Sequence, residues 1–347
     1  MMTKTWDLRN QLQTEQGQRA LNEISDIYHA GGLVAIPTET VYGLGANACD
    51  DQAVRRIYEA KGRPSDNPLI IHIHDKSQLN DFVASYSKEV EQLMDAFWPG
   101  PISFILPLKP SYLCERVSGG LDSIAVRMPS HPIGRAILKY TNLPIAAPSA
   151  NISGRPSPTT FSHVFNDMDG RVEGIVNGDQ SEEGLESTVL DCTQYPYRIA
   201  RPGAITEEMI DSVLPGSVDH DAQLNTEKPI APGMKYKHYS PQTPVAMLTS
   251  LTQAISEDKD WSHTLFAVPA TLQAYLPKDA IYRELAKDVT DLKSANHMLY
   301  QILHELDTDE SIEQGYIYRF EPTDESTAFL NRLEKATGNQ QIGADQL

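Results

Sequence analysis

The sequence predicts an α/β protein made of two domains and an ordered linker. The chain of 347 residues is longer than one hydrophobic core usually organises. Short apolar runs bounded by turn residues, which are typical of buried strands, mix with amphipathic helical patterns. Prolines and polar residues interrupt the hydrophobic periodicity between about 216 and 243. We therefore expect domains at 1–215 and 244–347, joined by a linker at 216–243.

The segments of the N-terminal domain do not form regular βαβ units, which favours a twisted, mixed sheet with many functional loops. The amphipathic run Ala20–Tyr28 predicts a helix that ends at the Gly31–Gly32 pair. Further helical patterns cover 53–60, 77–95 and 131–140, and 38–48 is predicted to be a turn-rich loop. Buried strands are predicted at 33–37, 67–75, 102–108, 123–129, 144–149, 174–179, 187–193 and 198–203.

The C-terminal domain shows a more regular alternation. Strands are predicted at 244–250, 263–270 and 315–320, and helical patterns lie near 251–257, 289–306 and 324–337. Strands that alternate with helices are typical of parallel sheets. The sequence therefore predicts a small Rossmann-like domain here.

The composition excludes several classes of protein. No apolar run approaches the roughly 20 residues of a membrane helix, and the polar N-terminus lacks the apolar region of a secretory signal. Three widely spaced cysteines indicate neither a zinc site nor a disulfide framework, so we expect a cytoplasmic protein. The net charge of −18 is shared by both domains and leaves no electropositive footprint, so tRNA binding should be weak at most.

The first candidate site is PTETVYGLGANA (37–48). It offers the hydroxyl groups of Thr38, Thr40 and Tyr42, and its Gly-Leu-Gly turn lets backbone amides approach a ligand. Ala48 occupies the position of the third glycine of a dinucleotide fingerprint, which excludes that motif. The alternative is a turn with incidental hydroxyl groups.

The second candidate is KGRPSDNP (61–68), in which Lys61 and Arg63 precede a rigid Arg-Pro bend. Two cations on a fixed loop suit a triphosphate. The alternative is that they only complement the dipole of the preceding helix. His72, in the next predicted strand, is typical of a core or surface histidine.

Further polar residues follow the central strands. Arg127 lies in an apolar strand and needs an anionic partner, either a ligand carboxylate or an internal acid. Ser149 and Asn151 come at the end of a strand, where open α/β sheets bind ligands. Arg201 is held by a Pro-Gly turn, as Arg63 is by its proline. The chain contains no motif for a covalent nucleophile, so these groups suit the positioning of anions.

Taken together and in order, these segments resemble the threonylcarbamoyl-AMP synthase family, which is built on a YrdC-like domain. The APGMKYKHYSP segment resembles the linker of the two-domain type. The matching segments are PTETVYGLGANA, KGRPSDNPLIIHI, WPGPISFIL, IAVRMPSHP, PIAAPSANISGRPSPT, ESTVLD, RPGAIT and APGMKYKHYSP, between residues 33 and 241.

The resemblance implies condensation of L-threonine and bicarbonate with ATP to give threonylcarbamoyl-AMP and pyrophosphate. Mg²⁺ would accompany the ATP phosphates, no protein metal site is expected, and a partner transferase complex would pass the threonylcarbamoyl group to tRNA. The implied threonine site consists of Thr40, His72, Arg127, Ala147 and Ser187. The implied nucleotide site consists of Lys61, Arg63, Asn67, Ser123, Ser149, Asn151, Ser157 and Arg201, with Lys61 and Arg63 in the catalytic role and Tyr236 and His238 as lid contacts.

Two other functions compete with this interpretation. Related domains occur in carbamoyl-AMP-forming maturation enzymes, but those carry CxxC zinc motifs that this chain lacks. An RNA-binding or ribosome-assembly module would need a basic surface, which the acidic balance disfavours.

Overall fold

The computed structural model describes residues 2–65, 67–219, 230 and 238–347, which fall into two compact units. The first unit holds the described residues of Met1–Ser153, Ser157–Glu182 and Glu186–Tyr236, and the second holds Gly154–Pro156, Glu183–Leu185 and the described residues of Lys237–Leu347. Most of the predicted linker, including Tyr236, lies outside the described residues.

Ten strands among the described residues form the sheet of the first unit. They are β1 (Lys4–Asp7), β2 (Val34–Ile36), β3 (Gly43–Asn47), β4 (Ile70–His72), β5 (Ile102–Pro107), β6 (Ser123–Arg127), β7 (Ile145–Ala146), β8 (Gly174–Asn177), β9 (Thr188–Asp191) and β10 (Arg198–Arg201). Their order is β1-β8-β2-β3-β7-β4-β6-β5-β9-β10. Parallel and antiparallel pairs both occur, which confirms the predicted mixed sheet.

Most helices of the first unit start at a residue whose side chain caps the first turn. Thr14 and Asp50 accept hydrogen bonds from the first free amides of the first two helices, and left-handed Gly62 (φ 62°) ends the second. The helices are α1 (Glu15–His29), α2 (Asp51–Lys61), α3 (Leu79–Phe82), α4 (Lys88–Phe97), α5 (Pro132–Thr141), α6 (Phe161–Met168) and α7 (Glu207–Val213).

The two faces of the central sheet carry different side chains. One large apolar cluster packs α2, α4 and α6 against the sheet through residues such as Ile57, Leu93 and Val164. A smaller strip of buried residues on the sheet consists of Ile70, Ile105, Ala125, Val189 and Ala200, and Ile230 packs against it. This strip borders the polar residues of the candidate site.

The second unit alternates strands and helices. Its elements are β11 (Val245–Ser250), β12 (Thr264–Val268), β13 (Ile281–Glu284), α8 (Leu292–Thr308), β14 (Gln314–Tyr318), α9 (Thr327–Thr337) and β15 (Gln341–Gly343). The five strands form one sheet, among the described residues, in the order β13-β12-β14-β11-β15. Every pair in it is parallel, as the alternation of strands and helices predicts. None of the described helices is both long and apolar enough to cross a membrane.

Two predicted helices are wrong. The pattern at 77–95 is broken, because the chain leaves α3 at Val83, pairs there with Leu108, and starts α4 anew at the Ser87 cap. The segment 251–257 contains bends and irregular backbone instead of a helix. The predicted loop at 38–48 also contains β3, in which Gly43–Asn47 pairs with β2 and β7.

Candidate active site

The site is organised by a polar row that crosses three neighbouring strands. His72 at the end of β4 and Ser103 in β5 are both Cα partners of Arg127 at the end of β6. Cross-strand partners lie side by side on one face of a sheet. All three side chains are buried. The strand register therefore brings an arginine, an imidazole and a hydroxyl group together.

Arg127 has an internal acid as its partner. Its Nη2 lies 2.5 Å from Oε1 of Glu39, and the two side chains are only 4% and 6% exposed. Its Nη1 donates to Oγ1 of Thr40 at 2.7 Å, and its Nε donates to the carbonyl oxygen of Gly100 at 3.3 Å. Of the two partners that the sequence leaves open, the structure shows the internal acid. Glu39 itself is a site residue that the sequence analysis missed.

Burial and the guanidinium group act in opposite directions on Glu39. Burial raises the pKa of a carboxyl group, but here the charge and hydrogen bond of Arg127 outweigh it and lower the pKa of Glu39. The carboxylate is therefore ionised, and the pair as a whole is neutral.

His72 is held as a neutral imidazole. Burial, followed by the charge of Arg127, lowers the pKa of His72 to about 3. Its Nδ1 lies 3.2 Å from the carbonyl oxygen of Ile70. Because that oxygen can only accept, Nδ1 carries the proton and Nε2 is left as an acceptor.

A second group of residues joins the row through Ser103. The Oγ atoms of Ser103 and Ser187 are 2.9 Å apart. Arg201 donates from Nη2 to both the carbonyl oxygen and the Oγ of Ser187, at 3.0 and 3.2 Å. This approach depends on Gly203, where a Cβ atom would lie 2.2 Å from the backbone nitrogen of Thr188. The Pro-Gly turn thus places Arg201 against Ser187.

Lys61 supports the loop that follows β7. Its Nζ donates to the carbonyl oxygens of Ser149 and Asn151, at 2.5 and 2.6 Å. Burial, helped by the charge of Arg63, lowers the pKa of Lys61 well below its usual value, although Asp167 and Glu186 act in the other direction. The lysine therefore holds the backbone of the loop after β7, which is predicted to bind the nucleotide.

The remaining predicted nucleotide residues lie around this loop. Arg63 follows Gly62, with its guanidinium carbon 6.0 Å from the ring centroid of Tyr58. Asn67 is completely buried, and neither its Oδ1 nor its Nδ2 has a hydrogen-bond partner among the described residues. A buried amide without a partner is costly, so it indicates a place for a polar ligand.

Ser157 and Ala147 are two further predicted site residues. The Oγ of buried Ser157 donates to Oε1 of Glu186. The amide of Ala147 donates to the carbonyl oxygen of Ile70 at 3.1 Å, so the chain after β7 stays beside β4.

Ser123 stands at the opposite end of β6 from Arg127. Four steps along the strand separate them by roughly 13 Å. Ala125 and Ile105, from the apolar strip, lie between the two ends. Ser123 borders a cavity of about 390 Å³ together with Asp122, Asp191, Arg198 and Ile105. The sheet face thus has one end with the Glu39–Arg127 pair, an apolar middle and a second polar end.

The predicted site residues other than the two lid residues all belong to the first unit. His238 belongs to the second unit, and Tyr236 lies outside the described residues. Their contact with the nucleotide therefore stays a prediction.

The sequence analysis missed Glu39 and Ser103. Glu39 is the one acid of the PTETVYGLGANA segment, and Ser103 is a single polar residue inside an apolar strand. Both features could have indicated buried, paired side chains.

Comparisons with known proteins match both parts of the chain. The family model described as "Telomere recombination" matches residues 26–203, and the model described as "Threonylcarbamoyl-AMP synthase, C-terminal domain" matches residues 205–338. The Threonylcarbamoyl-AMP synthase of Bacillus subtilis is 42% identical over 99% of this chain and 100% of its own length. That of Pyrococcus abyssi is 39% identical over 89% of this chain and 91% of its own length.

The fold is also similar to a solved structure. The crystal structure of P. abyssi Sua5 complexed with L-threonine superposes with a TM-score of 0.85 and 35% identity, covering 98% of this chain and 99% of that chain. These findings confirm the resemblance that the motifs indicate and the α/β class with its two sheets. The chain belongs to the threonylcarbamoyl-AMP synthase family.

Proposed function

We propose that this protein is the enzyme that condenses L-threonine and bicarbonate with ATP, giving threonylcarbamoyl-AMP and pyrophosphate. The observation that carries the proposal is the buried polar row of His72, Arg127 and Ser103 on an otherwise apolar sheet face. Such a row suits an amino acid whose carboxylate needs a cation and whose other groups need neutral hydrogen-bond partners.

The reaction needs no nucleophile from the protein. The amine of threonine attacks the carbon of bicarbonate, and loss of water gives a carbamate. A carbamate oxygen then attacks the α-phosphorus of ATP, and the bond between that phosphorus and the β-phosphate oxygen breaks to release pyrophosphate. The protein contributes by holding the reactants close together and stabilising the charge on the phosphate oxygens.

The threonine site in this proposal consists of Thr40, His72, Arg127, Ala147 and Ser187. Arg127 binds the carboxylate, which keeps that group away from the α-phosphorus. His72 offers its Nε2 as an acceptor for a threonine N–H or O–H group, because its Nδ1 donates to Ile70. With its pKa near 3, His72 stays neutral throughout the working pH range.

The nucleotide site in this proposal consists of Lys61, Arg63, Asn67, Ser123, Ser149, Asn151, Ser157 and Arg201. Arg63 and Arg201 stabilise phosphate charge, and the amide of Asn67 gains the partners that it lacks among the described residues. Lys61 acts at the same place by fixing the backbone of Ser149 and Asn151. Tyr236 and His238 are assigned to a lid over the nucleotide on the resemblance of their segment alone.

ATP enters this reaction as its magnesium complex. The described residues contain no group of three side chains that could hold a metal ion. In this proposal the metal is held chiefly by the phosphates of its substrate. We further propose a cytoplasmic location, a downstream transferase complex that delivers the threonylcarbamoyl group to tRNA, and no more than weak binding of tRNA by this chain.

Pyrophosphate release from ATP tests the proposed function. The purified full-length protein is assayed in carbon-dioxide-free buffer with no addition, with L-threonine, with bicarbonate, and with both. We expect release only when both are present, and little release when L-serine replaces L-threonine. Release that needs neither substrate, or none in any of the four arms, would contradict the proposal.

A further inference from the structure

We propose that Glu39 is the positioning residue of the threonine site: it holds the guanidinium group of Arg127 in the orientation that receives the threonine carboxylate. This inference rests on the proposed function and extends it to a residue outside the predicted binding set. The juxtaposition that carries it is the buried contact of 2.5 Å between Oε1 of Glu39 and Nη2 of Arg127.

The guanidinium group of Arg127 is held at all three nitrogens. Glu39 contacts Nη2, Thr40 accepts from Nη1 at 2.7 Å, and the carbonyl oxygen of Gly100 accepts from Nε at 3.3 Å. A guanidinium group has five N–H donors, of which one is used at Nε and one at Nη1. Nη2 meets Glu39 as an ion pair and has no hydrogen-bond partner among the described residues, so both terminal nitrogens keep an N–H for a ligand. Two N–H groups on one planar cation match the two oxygens of a carboxylate.

Glu39 also stabilises the cation while threonine is absent. A buried arginine without an anionic partner is strongly destabilising. The low pKa of Glu39 keeps its carboxylate charged, and the pair is closed to solvent, with side chains 4% and 6% exposed. The binding site is therefore ready before the substrate arrives, which lowers the cost of ordering on binding.

Two substitutions of Glu39 distinguish the effect of its position from the effect of its negative charge. Glu39→Gln keeps an oxygen acceptor at the same reach but removes the negative charge. Glu39→Asp keeps the charge but withdraws the carboxylate by one methylene group. If Glu39 acts by positioning, Glu39→Gln retains threonine affinity, because the guanidinium group keeps its orientation and loses a competing anion. Glu39→Asp then binds threonine less well despite its charge.

The test measures L-threonine binding by calorimetry and the KM values for threonine and ATP, all on the full-length protein. We expect Glu39→Gln to bind threonine as tightly as the unsubstituted protein or more tightly. We expect the affinity to fall by at least about fivefold in Glu39→Asp and about tenfold in Glu39→Ala, with the KM for ATP changed less than about twofold. Glu305→Gln is the matched control, because it removes the charge from another Glu–Arg pair, that with Arg283 in the second unit.

Two outcomes would overturn the proposal. One is an affinity order that follows charge, with Glu39→Asp close to the unsubstituted protein and Glu39→Gln much weaker. The other is an equal effect of these two substitutions, or none, on threonine binding. If Glu39→Ala does not fold, the comparison of Glu39→Gln with Glu39→Asp decides alone. Failure of the proposed function is distinguishable, because it shows in the unsubstituted protein as no threonine-dependent pyrophosphate release.

Discussion

At the scale of single residues, burial and ion pairing determine the charge state of the groups in the candidate site. Arg127 is neutralised by Glu39, His72 is held neutral, and burial lowers the pKa of Lys61. The site therefore offers oriented donors and acceptors in a region of low dielectric, where each hydrogen bond is strong. It does not depend on a large surplus of positive charge.

Removal of the guanidinium group of Arg127 should raise the KM for threonine much more than the KM for ATP. Because Arg127→Ala would leave Glu39 as an unpaired buried charge, the variant to test is the double substitution Glu39→Gln/Arg127→Met. We expect its KM for threonine to rise by about a hundredfold, as for loss of a charge-assisted carboxylate contact, with a much smaller effect on the KM for ATP. Steady-state kinetics with each substrate varied in turn measure both values. Equal increases in the two would show that Arg127 does not hold the carboxylate.

His72 should make the protein less stable in acid. The fold lowers its pKa from the usual 6.5 to about 3, so below pH 6.5 the unfolded chain binds a proton that the folded chain does not. This contribution to stability is complete above pH 6.5 and is lost as the pH falls towards 3. Between pH 7 and 4 it amounts to about 3 kcal/mol.

The variant His72→Gln, which does not titrate, measures this contribution. We expect its free energy of unfolding in urea to fall by about 3 kcal/mol less than that of the unsubstituted protein between pH 7 and 4. Equal losses in the two proteins would mean that His72 does not titrate as its burial requires.

At the scale of secondary-structure elements, the sequence predicts those with a clear hydrophobic period and misses those whose pairing is decided by the tertiary structure. The strand β6 and the helix α5 have clear patterns and appear where expected. In contrast, β3 contains two glycines that are typical of turns, and it is a strand because β2 and β7 pair with it on both sides. The break between α3 and α4 depends on the contact of Val83 with Leu108, which local patterns do not reveal.

The same distinction applies to the site. Motif order leads to the prediction of Arg127, His72 and Ser187 as site residues, because each lies in a recognisable segment. The contact of Glu39 with Arg127 joins residues 88 positions apart in the sequence, and only the fold brings them together. Lys61 was predicted as a site residue, but its hydrogen bonds to two loop carbonyl oxygens needed the structure.

The end of α2 should control the nucleotide loop through Lys61. Lys61→Met would leave two buried carbonyl oxygens, of Ser149 and Asn151, without this donor, which costs about 1–3 kcal/mol of unfolding free energy. We expect the KM for ATP to rise by about tenfold while threonine binding changes much less.

Urea unfolding and steady-state kinetics measure the two effects. Lys139→Met is the matched control, because Lys139 also lies in the last turn of a helix but is exposed. A normal KM for ATP in Lys61→Met, or the same loss of stability in both variants, would argue against a role for Lys61 in holding the loop.

At the scale of the whole molecule, the net charge of −18 limits what the protein can bind. An acidic protein gains little from releasing the counterions of a nucleic acid, so we expect tRNA to bind with a Kd weaker than about 10 µM at about 150 mM salt. Fluorescence anisotropy with labelled tRNA, repeated at lower salt, measures this affinity and its salt dependence. Submicromolar binding at the higher salt concentration would instead favour the RNA-binding function.

The product of the reaction shows which group of threonine reacts. If Arg127 holds the carboxylate, the amine takes up bicarbonate and the product carries a new carbamoyl carbon. If the carboxylate were free to react with ATP, the product would be an aminoacyl adenylate without that carbon.

Mass spectrometry of the reaction with ¹³C-bicarbonate, L-threonine and ATP distinguishes these products directly. We expect an adenylate whose mass corresponds to threonylcarbamoyl-AMP and which contains one ¹³C atom from bicarbonate. An unlabelled threonyl adenylate, or no adenylate at all, would contradict this expectation.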